Sequence, residues 1–345
     1  MTGFSSDELA AADSVLRSGH ADGLWPGIVA AVGEGPTLER DWVIGWAEDW
    51  SGGRRATTAD TVFDLASLTK VLATLPSVLL LVQRGELALD DVVADFVPGF
   101  DRRVLVRHLL THSSGLPAHR DFSTRANSPG GLASAAAATP LEEPPAVRVA
   151  YSDLGFVLLG AVVHAVSGMS LGQFAEREVF APLNSAATFT PPPEWLPRIA
   201  ATELVDGRPV HGTVHDENAA AAGGPVGHAG LFATAADVRA CLPLWFPGGA
   251  LLGSDLRADA LRDHTVGLGG HRGLGWTCRG DVHDILSAGW GDTAVSHTGF
   301  TGTSIAFDPV TLRWAVLLTN AVHYGRGRSE VFVRRRRFHA ALVGD

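Results

Sequence analysis

The chain contains a single lysine. Of its 27 basic residues in a total of 345, Lys70 is the only lysine and the others are arginine. Arginine stays protonated in proteins, whereas a desolvated lysine can lose its proton near neutral pH and act as a base. The one lysine therefore indicates a site where a proton moves, although Arg-rich codon usage could also leave one lysine by chance. Tyrosine is nearly as scarce, with only Tyr151 and Tyr324.

The chain also has few cysteines and few basic residues, and this narrows the classes of protein to which it can belong. Two cysteines, Cys241 and Cys278, are too few for a disulfide framework, so free thiols in a reducing compartment are expected. The net charge of -10 argues against general nucleic-acid binding, because phosphate backbones select basic surfaces. The first twenty residues lack a secretory signal pattern, and the apolar run 78–82 is shorter than the roughly 20 residues of a membrane span. We expect a cytoplasmic protein with neither membrane nor nucleic-acid partners.

Helical patterns fill the middle of the chain and β patterns its two ends. Helices are predicted after the Ser5/Glu8 capping box and over 67–84, 104–112, 155–166 and 171–179; β segments are predicted at 27–32, 41–46, 273–278, 295–308 and 314–319. The Ala/Pro-rich residues 133–145 are predicted to form an irregular surface loop. We predict an α/β fold in one domain, 1–345, with a sheet-containing part at about 1–75 and 270–345 and a mostly helical part at about 76–269.

Three short motifs carry the chemistry. Ser67 and Lys70 are three residues apart at the start of a predicted helix, where side chains at this spacing face each other and free backbone N–H groups can stabilise an oxyanion. Tyr151 precedes the next helix in the triplet Tyr151-Ser152-Asp153, and a phenol near cations can shuttle a proton. The third motif, His297-Thr298-Gly299, lies in a β segment, where glycine lets a ligand approach the backbone.

In order and spacing these motifs resemble the signature of the serine β-lactamase and penicillin-binding-protein superfamily, whose S-x-x-K motif corresponds to residues 67–70. The resemblance implies a β-lactamase/transpeptidase-like fold with a central antiparallel sheet flanked by helices and an inserted all-helical subdomain. It implies Ser67 as nucleophile, Lys70 and Tyr151 as proton carriers, and the backbone N–H groups of Ser67 and Phe300 as oxyanion hole. Substrate binding would fall to Asp153, His297, Thr298 and Gly299.

Two positions depart from the family pattern. Asp153 stands where Asn is usual, and its charge favours the ammonium form of Lys70, so either burial deprotonates Lys70 or Tyr151 is the principal base. His297 stands where Lys is usual, and the missing lysine weakens the case for penicillin as substrate. Residues 214–232 and 318–323 resemble the branch containing exo-acting N-acetylmuramyl-L-alanine amidases.

The leading prediction is a serine hydrolase that forms an acyl-enzyme from a small-molecule amide or ester, with a muramyl peptide as first choice and no cofactor. An acyltransferase or esterase of small-molecule biosynthesis, a β-lactamase, and a non-catalytic sensor remain alternatives, and the oligomeric state stays open. A metal site could also be assembled from His211, His215, Asp216 and His228, but we favour hydrogen-bonding loop residues. The arginines 334–337 are predicted to be the solvated part of a terminal helix.

Overall fold

The computed structural model describes residues 3–326 and 329–345. Within these ranges the strands form one seven-stranded sheet and two two-stranded pairs. The strands are β1 Gly27–Glu34, β2 Thr37–Trp50, β3 Gly53–Ala56, β4 Phe63–Asp64, β5 Leu204–Val205, β6 Arg208–Pro209, β7 Phe232–Ala233, β8 Thr277–Cys278, β9 Val295–Thr298, β10 Ser304–Phe307 and β11 Arg313–Thr319. The α-helices are α1 Ser6–Ala21, α2 Leu75–Gln83, α3 Val106–Leu110, α4 Pro129–Ala137, α5 Asp153–Ser167, α6 Leu171–Ala175, α7 Glu217–Ala222, α8 Ala235–Cys241, α9 Ser254–Leu261 and α10 Ser329–Ala341.

The large sheet joins the two ends of the chain. Its strand order is β3-β2-β1-β11-β10-β9-β8, and every neighbouring pair is antiparallel. Strand β1 pairs with β11 along its length, from Ile28 opposite Thr319 to Glu34 opposite Arg313. The predicted α/β fold with a sheet built from both termini is confirmed, while the subdomain boundaries stay a prediction.

Both faces of the sheet are buried. Ile28, Ala30 and Val32 of β1 join the core that includes side chains of α1 and α10, whereas Val29 and Ala31 join the larger core that includes α2 and α5. Because successive side chains of a strand point to opposite faces, this alternation places β1 between two helical layers. A strand buried on both sides needs a nearly continuous apolar sequence, which β1 has.

The predicted helix 67–84 is divided into three parts. Ala66–Leu68 is a 3₁₀ turn, Lys70–Thr74 is a π-helical turn, and the α-helix begins at Leu75. Pro76 lies where the π-helical turn passes into α2, and because proline has no backbone N–H, the helical hydrogen-bond pattern is interrupted at this point. The stretch Ala66–Gln83 is long and apolar enough to span a membrane, but 83% of it is buried inside the protein, as in a core helix.

Part of the Ala/Pro-rich region is helical, so the predicted loop is wrong there. Helix α4 covers Pro129–Ala137 and is capped by the Ser128 hydroxyl, which accepts a hydrogen bond from the Gly131 N–H at 3.0 Å. Alanine has the highest helix propensity, and proline at the first helical position is compatible with a helix. Low sequence complexity alone did not justify predicting a loop.

Candidate active site

The turn that carries Ser67 follows directly from β4. Asp64 holds this turn in place, because its carboxylate accepts the Ala66 N–H at 2.8 Å and the His215 N–H at 2.7 Å. Ala66 has a φ of 47°, which is uncommon for a residue other than glycine and marks a locally strained backbone. Ser67 is thereby presented to a cavity of about 720 Å³.

Lys70 lies behind Ser67 and is fully buried. Its Nζ donates to three acceptors: Ser67 Oγ at 2.9 Å, Asp153 Oδ1 at 2.7 Å and the His228 carbonyl oxygen at 3.0 Å. An ammonium has three N–H donors, so this set of acceptors fits the protonated form completely. The structure thus brings together the two residues of the first motif and the carboxylate of the second.

The charges of Lys70 and Asp153 stabilise each other. Burial disfavours the ammonium, but Asp153 and Tyr151 together outweigh it and raise the pKa of Lys70 above its ordinary value. Burial likewise disfavours the Asp153 carboxylate, and the Lys70 ammonium, helped by His119, whose Nδ1 lies 3.8 Å from Asp153 Oδ2, holds the pKa of Asp153 well below its usual range. In the resting site Lys70 is therefore a hydrogen-bond donor to Ser67, not a base.

Tyr151 lies between two cations. Its ring centroid is 5.1 Å from Lys70 Nζ and 5.6 Å from the Arg272 guanidinium carbon. The His112 ring lies against the phenol at 4.4 Å, and His112 Nδ1 accepts the Ser152 N–H at 3.1 Å. The segment around His112 thus fixes the position of the second motif, and Tyr151 lines the same cavity as Ser67.

The third motif forms the opposite wall of the cavity. His297 and Thr298 end β9, and both line the cavity with Gly299 and Phe300. Burial, together with the charges of Lys70 and Arg272, puts the pKa of His297 well below its ordinary value. His297 is therefore neutral near pH 7 and does not replace the positive charge of a lysine at this position.

Gly299 brings this wall against the turn of Ser67. A Cβ at Gly299 would lie 2.2 Å from Thr303 Oγ1 and 2.5 Å from the Leu65 carbonyl oxygen, so only glycine fits. The Phe300 side chain is 59% exposed and stacks on His215 with ring centroids 5.6 Å apart. Within the described ranges, neither the Ser67 N–H nor the Phe300 N–H has a hydrogen-bond acceptor.

Sequence reasoning missed Arg272, Arg326 and Arg335, which line the cavity. Arg272 is buried and forms an ion pair of 2.8 Å with Asp281, which is also buried. Arg335, from the run 334–337, is only 5% exposed, so the prediction of a solvated run is wrong for this residue. Arg336 and Arg337 are exposed as expected. The 3.6-residue helical repeat places Arg335 on the face of α10 that meets the sheet, a signal that the continuous run of arginines concealed.

Three of the four residues considered for a metal site, His215, Asp216 and His228, are each paired with a neighbouring side chain. His228 Nε2 lies 2.8 Å from Asp216 Oδ1, and His215 Nε2 lies 3.2 Å from Glu203 Oε1. No cluster of three or more His, Cys, Asp or Glu side chains suited to a metal ion occurs in the part of the chain that the structure describes. His228 instead contributes its carbonyl oxygen to the Lys70 site.

Comparison with known proteins agrees with this fold. The Beta-lactamase family model matches residues 12–339, and the chain belongs to this family of serine hydrolases. An Escherichia coli protein named as a D-alanyl-D-alanine carboxypeptidase is 31% identical over 307 residues, covering 77% of this chain and 70% of its own length.

Two solved structures share the fold over almost the whole chain. A penicillin-binding protein homologue from Caulobacter crescentus has a TM-score of 0.76 at 20% identity and covers 99% of this chain and 98% of its own. EstCE1, described as a hydrolase with promiscuous acyltransferase activity, has a TM-score of 0.73 at 20% identity, with coverages of 96% and 97%. At this level of identity, the likeness concerns the fold alone.

Proposed function

We propose that the protein hydrolyses an amide or ester through an acyl-enzyme on Ser67. The observation that carries this proposal is the 2.9 Å hydrogen bond between Lys70 Nζ and Ser67 Oγ at the wall of a large cavity. Ser67 Oγ attacks the substrate carbonyl carbon, the bond to the leaving group breaks, and water then releases the acyl group. The unpaired N–H groups of Ser67 and Phe300 are the donors for the oxyanion.

Tyr151 is the proton carrier in this proposal. Lys70 is held as an ammonium by Asp153, so it cannot accept the Ser67 proton in the resting site. The Tyr151 hydroxyl receives that proton while its own proton passes to the leaving nitrogen or oxygen, so no net proton is left on the phenol. The ammonium of Lys70 stabilises the negative charge that develops on Ser67 Oγ during attack.

A muramyl-peptide amide is the substrate that we propose first. It follows from the branch resemblance of residues 214–232 and 318–323, and the name of the E. coli relative refers to another bond of cell-wall peptides. Chemically defined muramyl peptides incubated with the enzyme, with products identified by mass spectrometry, test this choice. Intact substrate at high enzyme concentration would exclude it without affecting the role of Ser67.

The second candidate is an acyltransferase or esterase acting on a small molecule. The cavity of about 720 Å³, with Phe300 exposed at its wall, leaves room for an acceptor beside the acyl group. EstCE1, whose fold is similar, is described as having acyltransferase activity. Product analysis with a competing amine or alcohol distinguishes transfer from hydrolysis, and a chromogenic cephalosporin tests β-lactam hydrolysis. An acyl-enzyme that persists without turnover would instead favour a sensor.

A fluorophosphonate probe tests the nucleophile. Ser67→Ala should abolish labelling and hydrolysis, because the attacking oxygen is removed, while Ser134→Ala, on α4 away from the cavity, should be labelled like the wild type. Intact-mass spectrometry and peptide mapping measure the outcome. Undiminished labelling of the Ser67 variant would remove Ser67 from its role.

A further inference from the structure

Arg335 places a positively charged guanidinium in the interior of the protein. Its side chain projects from α10 to the cavity wall, and no carboxylate lies within ion-pair distance among the residues that the structure describes. The other arginines lining the cavity differ, since Arg272 pairs with Asp281 and Arg326 pairs with Glu203 and Glu217. Burial lowers the pKa of Arg335 to about 10, so the guanidinium remains charged at neutral pH.

A buried charge without a partner costs folding free energy, so its presence calls for an explanation. Arg335 Nη2 donates to the Gly299 carbonyl oxygen at 3.2 Å, and its Nε has no acceptor among the described residues. The Gly302 N–H donates to the same carbonyl oxygen at 3.1 Å. Arg335 thus adds a positively charged donor to a carbonyl oxygen that already accepts a backbone N–H.

The Gly299 carbonyl belongs to the same peptide group as the Phe300 N–H. The peptide bond is trans, so the two groups point in opposite directions and the N–H faces away from the Gly299 carbonyl oxygen. A cation that donates to the carbonyl oxygen draws electrons across the conjugated peptide and makes the N–H a stronger donor. It also fixes the plane of the peptide, and hence the direction of the N–H.

We propose that Arg335 is a positioning residue that orients and polarises the Gly299–Phe300 peptide so that the Phe300 N–H stabilises the oxyanion. This inference rests on the proposed acyl-enzyme function. It explains why a desolvated guanidinium is placed against a backbone carbonyl rather than a carboxylate, because a carboxylate would neutralise the charge that polarises the peptide. The substrate does not touch Arg335 in this role.

The test compares Arg335→Met and Arg335→Lys with the wild type on a neutral ester, p-nitrophenyl butyrate. For Arg335→Met we expect kcat to fall about tenfold with KM nearly unchanged, because the oxyanion forms only on the way to the transition state. Inhibition by phenylboronic acid, which forms a tetrahedral adduct on a serine, should weaken by a similar factor. Arg335→Lys keeps a charged donor and should recover part of kcat, and Arg336→Met, on the exposed side of the same helix, should behave like the wild type.

Several outcomes would overturn the inference. One is an unchanged kcat for Arg335→Met on the neutral ester. Another is a defect that appears only in the KM of substrates with a carboxylate, which would make Arg335 a substrate ligand. If Arg335→Met does not fold, as judged by its melting temperature, the neutral variant Arg335→Gln takes its place. A folded Arg335→Gln with the kcat and the boronate affinity of the wild type would overturn the inference. A wild type without Ser67-dependent hydrolysis removes both proposals, whereas Ser67-dependent hydrolysis that is insensitive to Arg335 removes this one alone.

Discussion

The ion pair between Lys70 and Asp153 can be tested by changing Asp153 to Asn. The substitution nearly preserves the shape, and the amide oxygen can still accept a hydrogen bond from Lys70, but the negative charge is lost. Lys70 is fully buried, and its other acceptors are a hydroxyl and a carbonyl, both neutral. Removing one partner of a buried pair costs about 3–5 kcal/mol, so we expect a loss of that order in the free energy of unfolding at pH 7.

The dependence of the folding stability on pH follows from the shifted pKa values of Lys70 and Asp153. The raised pKa of Lys70 contributes stability that is complete below its ordinary value of 10.5 and is lost as the pH rises through the higher folded value. The lowered pKa of Asp153 contributes stability that is complete above its ordinary value of 3.8 and is lost only as the pH falls through the lower folded value. Between about pH 5 and 9 the contribution of the wild-type pair is therefore constant.

The Asp153→Asn substitution removes the carboxylate that opposes the effect of burial on the pKa of Lys70. Burial is left to dominate and lowers the pKa of Lys70, so the variant gains stability as the pH rises and the amine becomes neutral. The stability gap to the wild type should therefore narrow between pH 7 and pH 9.5. Urea unfolding followed by circular dichroism at both pH values measures the gap, and Asp121→Asn, an exposed carboxylate, is the control. A variant as stable as the wild type at pH 7, or a gap that widens with pH, would refute the reasoning.

Two further substitutions test the cavity walls. Tyr151→Phe removes the hydroxyl but keeps the ring against His112, so kcat should fall by about 10²–10⁴ with an unchanged melting temperature; a fully active variant would assign the proton transfer elsewhere. Gly299→Ala should lower kcat at least about tenfold, because the new methyl group meets Thr303 and the Leu65 carbonyl oxygen and displaces the oxyanion peptide. The control is Gly130→Ala on α4, where nothing lies within 4 Å; it should keep full activity and gain about 0.5–1 kcal/mol of stability. A Gly299→Ala variant as active as the wild type would contradict the role of this peptide.

Local spacing was sufficient to predict the contact between Ser67 and Lys70, because both residues lie within one helical turn. The sequence also indicated the sign of the Asp153 effect, since a carboxylate beside the only lysine favours the ammonium whatever the exact geometry. The meeting of these residues with Tyr151 rested on the family resemblance. In the structure Ser67, Tyr151 and Asp153 line one cavity, and Lys70 is buried directly behind Ser67.

Contacts between segments that are distant in the sequence could not be predicted in this way. Nothing near Arg272 in sequence indicates that its guanidinium lies against Tyr151, because that contact depends on how two distant segments pack. Arg335 was hidden in a run of four arginines, of which burial selects one. The expected location in the cytoplasm stays a prediction.

The solitary lysine of this chain also makes the folded protein an unusual target for covalent labelling. The chain offers one ε-amino group, that of Lys70, to succinimidyl esters, aldehydes or bifunctional amine cross-linkers. The fold buries this group completely. Acylation of that nitrogen by a bulky reagent requires the surrounding structure to open. The rate at which such a reagent modifies this nitrogen, measured by peptide mapping so that reaction at an α-amino group is counted separately, therefore reports how often the structure around the catalytic centre opens.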